Sequence, residues 1–137
     1  MQRKIVWEYL ETVTPELHGF EILELNGGTS DEALLFSDKG LNLVATDVSE
    51  EMMKLTTQKD SRYSMAHKIS SHYVDLDNFN ETLFDKKLDL IVANFGAING
   101  VDPLTVQRLL PKITSLLTRG GRFVAVITPK FCLWESV

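Results

Sequence analysis

Glu21-Ile22-Leu23-Glu24-Leu25-Asn26-Gly27-Gly28-Thr29-Ser30-Asp31-Glu32-Ala33 is the stretch on which the reading of the whole chain turns. A short apolar run ends in an acid, passes through two glycines and enters a helix-forming segment. In a parallel α/β sheet this is the first strand, the turn at its carboxyl end and the first helix. Glycines at such a turn let the backbone come close to a ligand, because no Cβ stands in the way. The following helix presents unpaired N–H groups there. A second apolar run, Leu41-Asn42-Leu43-Val44-Ala45-Thr46, ends at Asp47, close to the roughly 20 residues at which a ribose-binding acid is expected. The pattern implies nucleoside binding.

Working outward, Ile5, Val6, Tyr9, Leu10 and Val13 fall at helical spacing, and Pro15 and Gly19 break that pattern before the first strand. A second helix is expected over 30–37, with Ala33, Leu34 and Phe36 inward and Gly40 as its C-cap. Ser49-Glu50-Glu51-Met52 reads as an N-cap with acids in the first turn, opening a third helix to about Lys59. Residues 60–71 are polar and unpatterned and read as a loop or a weak helix end. Residues 69–74 make a poor strand by pattern, and 80–84 a short helix or turn. Leu88-Asp89-Leu90-Ile91-Val92-Ala93-Asn94 is a clear buried strand. Pro103 sits where an N1 proline belongs, ahead of a helix carrying Leu104, Val106, Leu109, Leu110, Ile113, Leu116 and Leu117. Pro111 should kink or divide that helix. Gly120-Gly121 turn the chain into Arg122-Phe123-Val124-Ala125-Val126-Ile127-Thr128, a second clear buried strand.

Strand-helix alternation with near-continuous apolar strands implies a mostly parallel sheet covered on both faces. Right-handed crossovers leave few topologies, and a doubly wound, Rossmann-like α/β sheet of order 3-2-1-4-5 is the simplest. The 137 residues fit one domain, taken as 1–137, and suffice for a real core. With 44% hydrophobic and 24% charged residues the composition is that of an ordinary globular protein. A net charge of -5 argues against a general phosphate-backbone binder, so nucleic acid is not the expected partner. Cys132 is the only cysteine, which excludes an intrachain disulfide and suggests a reducing compartment. Without a long apolar run or a signal-peptide h-region, no membrane partner is expected and a cytoplasmic protein is the default.

Glu24-Leu25-Asn26-Gly27-Gly28-Thr29-Ser30 resembles motif I of the class I S-adenosylmethionine-dependent methyltransferases, E/D-x-G-x-G-x-G. Ala45-Thr46-Asp47-Val48-Ser49-Glu50-Glu51-Met52 is similar to the family's second motif, and Val74-Asp75-Leu76 falls where the family contacts adenine. Leu88-Asp89-Leu90-Ile91-Val92-Ala93-Asn94-Phe95 resembles the fourth strand motif, and Leu117-Thr118-Arg119-Gly120-Gly121-Arg122-Phe123 the "LxPGG" approach to strand five. Five segments in order carry more weight than one glycine-rich turn. Two departures stand out. Asn26 and Ser30 occupy the first and third glycine positions; Asn tolerates unusual backbone angles and Ser can cap a helix. The chain also stops at Val137, where the family adds a helix and strands six and seven. The domain is thus expected to be C-terminally incomplete. Either it is a fragment, or a second copy (a homo-oligomer) or a partner covers the apolar edge of strand five.

The resemblance implies S-adenosyl-L-methionine as cofactor and assigns roles residue by residue. Glu24 would attract the cofactor's ammonium, with a solvated strand-end acid as the competing reading. Asn26, Gly27 and Gly28 would form the turn against the methionine moiety. Asp47 would accept both ribose hydroxyls, since a carboxylate offers two acceptors in one plane; the competing role is a helix N-cap. Val48 and Met52 would pack on adenine, or simply belong to the core. Asp75 would accept from the adenine amino group while Leu76 donates its backbone N–H. Asn94 and Phe95 would lie beneath the transferred methyl group, with plain packing an equal alternative for Phe95. His67 and His72 near the rim read better as structural residues than as a base, and neither metal-ligand spacing nor a paired thiol is present. Phe131 and Trp134 read as cover for apolar surface. A small-molecule acceptor is the expectation. A nicotinamide-dependent oxidoreductase expects G-x-G-x-x-G, which Asn26-Gly27-Gly28-Thr29-Ser30-Asp31 does not supply. A non-catalytic methyltransferase-like module and an interaction domain docking through strand five complete the alternatives.

Overall fold

A computed structural model of the chain describes residues 2–13, 20–25, 41–47, 49–51, 54–55, 69–93, 98 and 100–127. Its centre is a five-stranded sheet: β1 (Glu21–Leu25), β2 (Asn42–Asp47), β3 (Ile69–Tyr73), β4 (Leu88–Ala93) and β5 (Leu117–Ala125). The spatial order is β3-β2-β1-β4-β5 and every neighbouring pair is parallel. This is the doubly wound order that the alternation predicts. Among the described residues, α1 (Gln2–Val13) and α2 (Pro103–Leu116) pack against it.

The central strands β1 and β4 are largely apolar on both sides because both of their faces are buried. Leu23, Leu25, Ile91 and Ala93 point to a cluster completed by Leu109, Ile113 and Leu116 of α2, with Leu76 and Phe79. Ile22, Leu43, Leu90 and Val92 point the other way, toward Leu10 of α1 and Leu41. Alternate side chains of one strand thus feed two cores. Each fully buried leucine or isoleucine contributes about 1.5–3 kcal/mol relative to exposure. In α1 the buried stripe runs through Leu10 and half-buried Val6, whereas Ile5 and Tyr9 are 61% and 48% exposed. The helix is therefore rotated from the expected inward face.

Helix α2 opens as its sequence prescribes. Asp102 caps it, Oδ2 accepting from the Leu104 N–H at 3.1 Å, and Pro103 occupies the first turn, where a missing N–H costs nothing. Pro111 does not divide the helix, which continues to Leu116. Leu109, Ile113 and Leu116 on either side of it are all anchored in the core, while Pro111 itself faces solvent.

Between β3 and β4 the chain makes two 3-10 turns, Leu76–Asn78 and Glu81–Leu83, the second of them within the 80–84 stretch that reads as a short helix or turn. Each is closed by an Asx side chain: Asp75 Oδ1 accepts from the Asp77 N–H (3.0 Å) and Asn80 Oδ1 from the Thr82 N–H (3.1 Å). Phe79 and Phe84, the residues that follow the two turns, stack with centroids 5.9 Å apart. Strand β5 starts earlier than expected. Leu117 pairs with Leu88 and Arg122 with Leu90, so five steps of β5 face two of β4, and the Gly120-Gly121 turn lies inside the strand as a bulge. Gly120 holds φ +82°, and a Cβ on Gly121 would sit 3.0–3.1 Å from backbone atoms of Thr118 and Leu88. Asp89 fastens the bulge, accepting from the Thr118 hydroxyl (3.2 Å) and from the Glu21 N–H (2.8 Å).

Candidate functional site

In an open parallel sheet the ligand crevice lies outside the carboxyl ends of the strands, where the strand order reverses. Here that reversal falls at β1, between β2 and β4. Three acids named from the sequence reach this edge: Glu24 near the end of β1, Asp47 at the end of β2, and Asp75 two residues beyond β3.

Register fixes how the first two relate. Glu24 lies level with Ala45 on one side and Val92 on the other. Side chains alternate along a strand, and Ile22, Leu43, Leu90 and Val92 share the α1 face. Glu24, Ala45 and Asp47 therefore share that face as well. Asp47 stands two residues past Glu24's partner, which places the two α-carbons about 8 Å apart by strand geometry. Glu24 is fully buried among these apolar neighbours. A carboxylate is costly to bury, so its retention there marks a specialised position.

The edge is tied together by three cross-strand hydrogen bonds. The Thr46 hydroxyl donates to the Glu24 carbonyl (2.8 Å), the Val74 N–H to the Asp47 carbonyl (3.1 Å), and the Val126 N–H to the Ala93 carbonyl (2.8 Å). Asp47 Oδ1 accepts from the Ser49 N–H at 2.9 Å, opening a segment in which Glu50, Glu51, Lys54 and Leu55 are helical. This is the capping role weighed against ribose binding. A carboxylate has about four lone-pair sites, so one cap does not exhaust its accepting capacity. Asp75 is more committed: Oδ1 closes the first 3-10 turn and Oδ2 accepts from the Asn78 amide at 3.4 Å. Leu76 is buried in the α2-side core.

The profile of the family described as "Methyltransferase domain" matches residues 22–121, which include every strand of the sheet except the last four residues of β5 and Glu21 of β1. The chain belongs to the methyltransferase-domain family. No curated protein sequence matches it significantly. Among solved structures it is similar to a TehB-like SAM-dependent methyltransferase from Corynebacterium glutamicum, with a TM-score of 0.72 and 18% identity over 87% of this chain and 59% of that one. It is also similar to the glycopeptide N-methyltransferase MtfA complexed with S-adenosyl-L-methionine, with a TM-score of 0.69 and 21% identity over 88% and 48%. A SAM-dependent methyltransferase from Mesorhizobium loti gives a TM-score of 0.70 and 25% identity over 87% and 51%. The chain thus spans about half to three-fifths of the length of these proteins.

In this methyltransferase domain the described residues unite Glu24, Asp47 and Asp75 at one edge, with Leu76 beneath it. Asn26, Gly27, Gly28, Val48, Met52, Asn94 and Phe95 lie outside the described residues, as do His67, Phe131, Cys132 and Trp134. His72 pairs in register with Thr46, which by alternation sets it on the face opposite Glu24 and Asp47. Among the described residues no cluster of His, Cys, Asp and Glu could hold a metal, and no helix is long and apolar enough to cross a membrane. Thr46 was not singled out from sequence. Its signal was a hydroxyl at the end of an otherwise largely apolar run, directly before the acid.

Proposed function

We propose that the chain binds S-adenosyl-L-methionine across the carboxyl ends of β1 and β2 and directs its methyl group to a small-molecule acceptor. The observation that carries this reading is the pair of carboxylates, Glu24 and Asp47, on one face and one edge at the reversal of strand order in a methyltransferase-family sheet. Their chemistry suits the cofactor. Both are acceptors when ionised, complementary to an ammonium at one end and to vicinal ribose hydroxyls at the other.

In this reading Glu24 draws the ammonium, directly or through water, while Asn26, Gly27 and Gly28 bring main chain close to the methionine moiety. Asp47 holds the ribose hydroxyls. Val48 and Met52 pack on the adenine ring, Asp75 accepts from its amino group, and the Leu76 N–H donates to the ring. Asn94 and Phe95, following β4, border the methyl group and the acceptor. The cofactor's sulfonium supplies an already electrophilic methyl group. What remains for the protein is to bind, exclude water and align the acceptor for in-line attack. Such chemistry needs no dedicated acid–base pair. Support for a small acceptor comes from the net charge of -5, which disfavours a polyanion.

Calorimetry on the chain with S-adenosylmethionine, S-adenosylhomocysteine and NAD tests the proposal. Micromolar binding of the first two and not of NAD is expected. Binding without turnover of any acceptor would favour a non-catalytic module, a reading that the Asn26 and Ser30 substitutions in motif I also accommodate. Absence of nucleoside binding would leave an interaction domain.

A further inference from the structure

We infer that Thr46 is a positioning residue for this site: its buried hydroxyl, donated to the Glu24 carbonyl, fixes the spacing between the Glu24 and Asp47 carboxylates. The inference rests on the nucleoside-binding reading above.

Pairing between β1 and β2 ends at Glu24 and Ala45. Beyond that level β1 runs one residue further, to Leu25, which pairs with Ala93 of β4, while β2 continues through Thr46 and Asp47, still paired with His72 and Tyr73 of β3. The last hold of β2 on β1 therefore lies where the two acids must keep their separation. Thr46 adds a side-chain bond at that level, Oγ1 to the Glu24 oxygen at 2.8 Å. The residue is only 2% exposed, so no bulk water can take over the bond. A β-branched side chain is stiff about χ1, which makes the bond directional. Thr46 has Glu24 across the strand gap and Asp47 as its chain neighbour, so one bond sets both.

Alternation places the Thr46 side chain with Val44, toward the α2-side core and away from the face carrying the carboxylates. A loss of nucleoside affinity on removing the hydroxyl would therefore not be a lost direct contact. It would report displaced acids, to which binding is sensitive when groups shift by a fraction of an ångström. The competing view is that Thr46 is a buried polar group serving stability alone.

Titration calorimetry with S-adenosylhomocysteine on the full chain separates these views. Thr46→Val, isosteric and without a hydroxyl, should bind about tenfold more weakly, and Thr46→Ser should restore affinity to within about twofold. Ile113→Val, a core truncation in α2, serves as the stability control and should leave affinity within about twofold while lowering Tm. Wild-type affinity in Thr46→Val would overturn the inference and leave the function proposal standing. An equal loss in Ile113→Val would overturn it too, since stability would then be the cause. A wild-type chain that binds no nucleoside removes both. If Thr46→Val does not fold, Thr46→Cys, with its weaker donor, should lose about threefold; undiminished binding there counts against the inference.

Discussion

Asp47 caps the segment after β2, and the ribose-binding role proposed for it calls for different chemistry. Its Oδ1 accepts the Ser49 N–H, and the proposed ribose grip needs both carboxylate oxygens as acceptors. Asp47→Ala removes both functions. It should weaken S-adenosylmethionine binding at least tenfold, about 1.4 kcal/mol, and cost Tm a few degrees through the lost cap. Asp47→Asn separates the two, because asparagine caps as well as aspartate but replaces one acceptor oxygen by a donor. Its Tm should stay close to wild type while affinity falls as in the alanine variant; paired calorimetry and thermal melts would show this. Unchanged affinity in both variants would remove Asp47 from the site. At this scale the sequence was informative where an acid ended an apolar run, as at Glu24 and Asp47. Thr46 carried only a weak signal, because a threonine inside a strand usually means only β-propensity, and its partner is 22 residues away.

Among the elements, β1, β2, β4 and α2 were legible because each carries a largely apolar or periodic pattern with a clear boundary signal, such as Asp47 after β2 or Pro103 at the start of α2. Strand β3 falls within the 69–74 stretch that reads only as a poor strand, since Ser70, His72 and Tyr73 are exposed at the sheet margin and no burial pattern marks them. It is held by its register to β2, a tertiary fact. The β5 bulge was missed for a related reason: a glycine pair signals a turn but not that the ladder resumes on both sides of it. The glycines now make separable predictions. Gly120→Ala should cost about 1–2 kcal/mol because φ is +82° there. Gly121→Ala should cost about 1–3 kcal/mol because its Cβ would press on the Thr118 and Leu88 backbone. Gly100→Ala, with nothing within 4 Å of the added carbon, should be close to neutral. Urea denaturation of the three variants checks the ranking. A second measure of packing is Ile113→Ala, expected to lose about 2–5 kcal/mol.

For the whole molecule, topology was the most legible property, because right-handed crossovers between parallel strands leave so few arrangements. What the sequence could not show was how the margins are dressed. Among the described residues β5 pairs with β4 alone, and Phe123, Val124 and Ala125 are only partly buried. A parallel sheet margin of this kind invites further pairing. The chain is therefore expected to self-associate as its concentration rises, and sedimentation velocity over a concentration series would reveal it; a clean monomer throughout would contradict an open edge. The carboxyl edge makes the larger claim. Glu24, Asp47 and Asp75 lie at or just beyond the carboxyl ends of three neighbouring parallel strands, β1, β2 and β3, and the strand order reverses at β1.

A crystal of the chain grown with S-adenosylhomocysteine tests that claim most directly. Both ribose hydroxyls should lie about 2.7 Å from the Asp47 carboxylate oxygens, with the amino acid end directed toward Glu24. Density for the nucleoside elsewhere, or side chains filling the crevice at the ends of β1 and β2, would contradict it.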